Sequence, residues 1–135
     1  MVQCRIEYEG QLHCKITHGP SDATLGTDAP KDNMGKGESF SPTDLVGVAL
    51  ASCMVTTMAI VAQRHNFDIK GVTATVEKHM AADPHRRIGK LAVEIRIPMQ
   101  VTDEMKTRLE HAANACPVHK SLSPQVEIPV IFHWG

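Results

Sequence analysis

Four cysteines and eight histidines supply most of the reactive side chains in this chain of 135 residues. Cys53 lies inside an apolar run from Leu45 to Ala62. A thiol there can act as a small core hydrophobe or as a nucleophile. At helical spacing it shares a face with Val46, Ala49, Leu50, Thr57 and Ile60, and spacing alone favours the core role. Cys4 and Cys14 each replace an aliphatic residue in an alternating pattern, which makes them structural. Cys116 is different. It closes an apolar helical stripe and precedes Pro117 in "CPVHKSL", so it falls at the N-cap of a short turn. Unpaired N–H groups at such an end favour negative charge, and this predicts a lowered thiol pKa. His119, three residues on, could add positive charge. The residues alone leave Cys116 balanced between the last member of a stripe and a reactive thiol.

A metal site is not expected. The sequence contains no HxH, HExxH or CxxC, and Cys116-x-x-His119 stands alone as a close Cys/His pair. It also lacks a P-loop, GxGxxG and GxSxG. A net charge of -1 gives no electrostatic footprint for nucleic acid or an anionic membrane. With 4% aromatic residues, base stacking has little to work with. Four scattered cysteines do not form a disulfide framework. The N-terminal "MVQCRIEYEG" alternates without a basic-then-apolar leader. The expected compartment is a reducing cytoplasm.

The elements that must position these thiols follow from periodicity. Residues 2–8 and 12–16 alternate and read as a hairpin. A three-residue loop, Glu9-Gly10-Gln11, would pair Tyr8 with Leu12, Cys4 with Ile16 and Cys14 with Ile6. A short strand is expected at Ala23–Thr27, then a loop. "SPTD" at 41–44 starts a helix, with Ser41 as cap, Pro42 first and Asp44 at the capping-box position. It should run to about His65. The run is long enough to raise a membrane span. However, Ser52, Thr56 and Thr57 interrupt it and its flanks show no basic asymmetry, so it reads as the core of a wrapped soluble domain. Alternation at 72–77 and 91–97 gives two strands, and Thr102 to Cys116 a helix. Val126, Ile128, Val130, Phe132 and Trp134 give a last strand. The order β-β-β-α-β-β-α-β, with antiparallel pairs, defines a single α+β domain over residues 1–135. A helix of about 23 residues spans roughly 35 Å. One small sheet covers only one side of it, which points to a second chain.

Two stretches together resemble one family. "SPTDLVGVALASC" (41–53) is similar to the helix-opening Ser/Asn-Pro-x-(Glu/Asp)-Leu…Cys motif of the OsmC/Ohr family, the osmotically inducible and organic hydroperoxide resistance proteins. "ACPVHKSL" (115–122) resembles its second cysteine motif, and the likeness extends over nearly the whole chain, nearest to the broader OsmC-like branch. The resemblance implies antiparallel sheets wrapped around long central helices in an intertwined homodimer. It implies a cofactor-free thiol peroxidase for organic hydroperoxides in oxidative stress. Cys53 would be the peroxidatic and Cys116 the resolving cysteine, with a dithiol such as a lipoylated protein as reductant. In the family's hydroperoxide reductases an arginine near the first strands is steered by a glutamate early in the central helix. Here that glutamate position matches Thr43, followed by Asp44. Arg5 is the only arginine in the first two strands; His13, Lys15 and His18 are other cations, and Glu38 is a loop acid. Arg5, Glu38, Asp44 and His119 are therefore supporting candidates. The rival expectation is a stress-associated protein of this fold that binds apolar small molecules without peroxidase activity.

Overall fold

The computed structural model describes residues 1–135, which form two compact units, Met1–Val46 and Gly47–Gly135. The first holds a three-stranded antiparallel sheet of β1 (Cys4–Gly10), β2 (His13–His18) and β3 (Thr24–Asp28), in that order. The hairpin register differs from the expected one. Tyr8 lies opposite Cys14, Ile6 opposite Ile16 and Cys4 opposite His18. The turn is shorter than three residues: Gln11 and Leu12 both have positive φ, 54° and 61°, the requirement of a two-residue type I′ turn. A bulge between Tyr8 and Gly10 takes up the extra residue, with Gly10 at φ 89°. The shift is an even number of residues, so the apolar faces still match. One face of this sheet carries Ile6, Tyr8 and Leu25, which are 61%, 63% and 46% exposed.

Helix α1 spans Pro42–Arg64. Its start is a reciprocal capping box, as the sequence predicts. Ser41 N–H donates to Asp44 Oδ2 at 2.9 Å, and Asp44 N–H donates to Ser41 Oγ at 3.0 Å. Its end is a Schellman motif: Asn66 adopts φ 55°, Phe67 N–H bonds Ala62 O and Asn66 N–H bonds Gln63 O. By length and composition α1 could cross a membrane. One face, however, is buried in the protein through Gly47, Leu50, Ala51, Met54, Met58 and Ala62.

That face packs on the second sheet, β4 (Thr73–Ala81), β5 (Arg87–Ile97) and β6 (Val130–Trp134), ordered β4-β5-β6. A Cβ on Gly47 would lie 3.3 Å from Leu91 Cδ2 and 3.4 Å from Val76 Cγ2, so glycine brings helix and sheet together. Leu91, Val93, Ile95 and Ile97 alternate inward along β5, each no more than 1% exposed. Each such side chain contributes about 1.5–3 kcal/mol by leaving water. The all-antiparallel expectation fails at β6, which runs parallel to β5. Between them lie α2 (Asp103–Asn114) and α3 (Pro117–Ser121), and such a crossover returns the chain in the same direction. The last strand is also shorter than expected. Glu127 and Pro129 bond to β5 only as isolated partners before β6 begins, and Pro129 offers its carbonyl but has no N–H.

Candidate functional site

Cys53 sits halfway along α1, half-buried, beside the fully buried stripe. Its carbonyl accepts a second bond, from Thr57 Oγ1 at 2.8 Å. In the same unit, α2 ends at Asn114. Pro117 cannot continue it, and α3 starts afresh with Cys116 as N-cap, φ -65° and ψ 149°. Cys116 is fully buried, next to the buried Ala112 and Ala113. Its Sγ accepts from the His119 backbone N–H at 3.4 Å.

The thiols of Cys53 and Cys116 lie near enough for one to influence the ionisation of the other. The lowered pKa expected from the N-cap position of Cys116 is overturned. Burial pushes that thiol up from its ordinary value, and the Cys53 sulfur beside it pushes the same way. The N–H groups of His119 and Val118 offset only part of this. Cys116 is thus held as the protonated partner. The contribution of His119 runs through its backbone N–H.

The other candidates lie in the first unit and do separate work. Arg5 is largely exposed and paired with Glu7 at 3.2 Å. Asp44 closes the capping box. Glu38 lines a cleft of about 340 Å³ with Glu9, His13, Asp28 and Lys36. In that cleft His13 Nδ1 bonds Asp28 Oδ1 at 2.7 Å, and its Nε2 lies 3.4 Å from Glu9 Oε1. Gly26 makes room for the ring, since a Cβ there would sit 2.9 Å from His13 Cε1. No sequence pattern marks Asp28; it meets His13 only through the β2–β3 register, which sets the two opposite each other. No group of three or more His, Cys, Asp or Glu side chains is arranged to hold a metal ion.

Comparison with known proteins bears on the family and the fold. No curated protein sequence matches significantly. A protein of Psychrobacter arcticus 273-4, provisionally described as an osmotic stress induced and detoxification response protein, is 42% identical. The match covers 98% of this chain and 96% of that one, with a TM-score of 0.93. An organic hydroperoxide resistance protein OsmC of Legionella pneumophila is 18% identical, over 98% and 96% of the two chains, with a TM-score of 0.75. An organic hydroperoxide resistance protein of Elizabethkingia anophelis is 14% identical, over 100% and 96%, with a TM-score of 0.78. These two share the fold. The family model for OsmC-like proteins matches residues 35–130, from the loop before α1 to the start of β6 and across both cysteines, and the chain belongs to the OsmC-like protein family.

Proposed function

We propose that the protein is a thiol peroxidase that reduces organic hydroperoxides to alcohols. The observation that carries this reading is the proximity of Cys53 and Cys116, two thiols from different helices that influence each other's ionisation beside a buried apolar stripe. Cys53 is the more accessible sulfur, and it attacks as thiolate. Its sulfur takes the distal oxygen of ROOH, the O–O bond breaks, and the alkoxide leaves as ROH after taking a proton. Cys53 becomes a sulfenic acid. Cys116 then attacks that sulfur, expelling water and forming a Cys53–Cys116 disulfide. An external dithiol restores both thiols by exchange and is itself oxidised to a disulfide. A lipoylated protein fits as that dithiol, because an apolar carrier arm suits an apolar approach. A reducing cytoplasm suits the cycle.

Cys116 is buried within one chain, and no added subunit can expose it. Peroxide and reductant must therefore both reach the pair through Cys53. The functional unit in this reading is a homodimer. Helix α1 leaves Val48 and Ile60 more than two-fifths exposed on the face away from the sheet, and the first sheet leaves its own apolar face open. A second copy of the chain covers such surfaces without a new kind of partner. Consumption of cumene hydroperoxide by purified protein with a dithiol tests the activity. Turnover that survives Cys53→Ser would contradict it. The rival reading, an apolar-ligand binder without turnover, predicts calorimetric binding that is unaffected when both cysteines are replaced.

A further inference from the structure

We propose that the His13 imidazole and the Glu9 carboxylate form an exchangeable site for a divalent transition-metal cation of the zinc class, inside the first unit. The inference shares no residue with the thiol chemistry. It starts from the way three strands present their ends. The β2–β3 register sets His13 opposite Asp28, and the bulge in β1 leaves Glu9 as the extra residue of its strand. Gly26 leaves the space that the His13 ring occupies. Glu9, His13 and Asp28 therefore line one cleft of about 340 Å³, together with Gln11, Lys36 and Glu38.

The hydrogen bonds decide what this arrangement can hold. An ionised carboxylate only accepts, so the 2.7 Å bond to Asp28 Oδ1 places the proton of the neutral ring on Nδ1. Nε2 then carries a lone pair. It lies 3.4 Å from Glu9 Oε1, which is also an acceptor. Two facing acceptors favour a positive centre between them, either a second ring proton or a metal ion. Two ligand atoms bound to one tetrahedral zinc ion stand roughly 3.3–3.5 Å apart. The observed separation matches that without rearrangement. Asp28 holds the position of the carboxylate that orients a metal-bound histidine through its other nitrogen. Its side chain is only 11% exposed, which fixes the ring. Imidazole nitrogen with carboxylate oxygen suits zinc, nickel or copper rather than calcium. Only these two protein ligands are in place, since no group of three is arranged around an ion. Water fills the remaining positions, and the partly exposed His13 and Glu9 side chains let the ion exchange. In the cleft Glu9, Asp28 and Glu38 outnumber the cation Lys36, and their field attracts a dication.

The test adds zinc ions to the reduced, isotope-labelled full-length protein and follows the imidazole nitrogens by heteronuclear NMR. The expected result is that His13 Nε2 takes a metal-bound shift while Nδ1 keeps its proton, and that His18 and His85 hardly move. This readout is specific to the residue, so zinc held elsewhere by thiols does not imitate it. Asp28→Asn should weaken binding at His13 by about 10–100-fold. Glu9→Gln removes a charged ligand at the rim of the cleft and should weaken it by a similar factor. Lys36→Met removes the cation of the cleft and should tighten binding, an effect that loss of folding cannot imitate. An unchanged His13 spectrum with zinc in excess, zinc bound through Nδ1, full affinity in Glu9→Gln, or weaker binding in Lys36→Met would overturn the proposal.

Discussion

The Cys116 Sγ accepts a hydrogen bond from the His119 backbone N–H at 3.4 Å while the nearby Cys53 sulfur raises its pKa. These contacts pull in opposite directions. The N–H at the start of α3 favours a thiolate, and burial together with the second sulfur favours a thiol; burial prevails. The pair is therefore unequal before any substrate arrives. Cys116 keeps its proton, and in the proposed peroxidase cycle the more exposed Cys53 is the nucleophile.

The first consequence is kinetic. Resolution requires Cys116 to attack as thiolate, and its pKa lies above the ordinary 9.0. The rate of disulfide formation after a single peroxide pulse should rise about tenfold per pH unit through the neutral range, following the thiolate fraction. Rapid-mixing measurements with a sulfenate-trapping reagent separate the two steps. A resolution rate independent of pH between 6 and about 9 would count against a protonated Cys116.

The same shift has a thermodynamic consequence. Cys116 has a folded pKa above its unfolded value, so above about pH 9 the unfolded chain loses this proton first. The stabilisation is fully present below the unfolded value and is lost as pH rises through the folded one. Denaturant unfolding of the reduced protein should show falling stability above about pH 9. In Cys116→Ala the fall should be smaller. An identical pH profile in the variant would show that this thiol does not carry the effect.

Helix α1 supplies Cys53, and its start depends on two side chains. Ser41→Ala removes the acceptor for Asp44 N–H and should cost about 1 kcal/mol. Peroxide chemistry at Cys53 should be little changed, because the cap acts three turns away. Urea unfolding and steady-state turnover on one preparation would show whether stability and activity separate in this way.

The reading of the fold from sequence succeeded where one local rule decided the outcome. Ser41, Pro42 and Asp44 specify the start of α1, and Pro117 specifies the break that makes Cys116 a cap. It failed where non-local pairing decided. Matching the apolar faces of β1 and β2 allows any even register, and the pattern does not reveal that Gln11 and Leu12 take positive φ. Similarly, β6 is alternating in sequence whether it pairs parallel or antiparallel; only the crossover through α2 and α3 settles it. At the site, N-cap position was legible but burial was not. The sign of the Cys116 shift was misread for that reason, and Asp28 stayed hidden because its role depends on strand register.

The exposed face of α1 provides a test of assembly. Ile60→Glu and Val48→Glu place a charge on an apolar face that the homodimer would bury. Each should shift the protein toward monomer in sedimentation experiments while leaving the sheet and α2 folded by circular dichroism. A wild-type monomer at micromolar concentration, or a variant dimer as tight as wild type, would contradict the homodimer.

The most direct test of the central claim is to treat the reduced protein with one equivalent of cumene hydroperoxide, quench with an alkylating agent, and map the peptides by mass spectrometry. The account predicts loss of two thiols per chain and a single linked pair joining the Cys53 and Cys116 peptides, with Cys4 and Cys14 alkylated. An oxidised Cys53 beside an alkylated Cys116, or a link through Cys4 or Cys14, would contradict it.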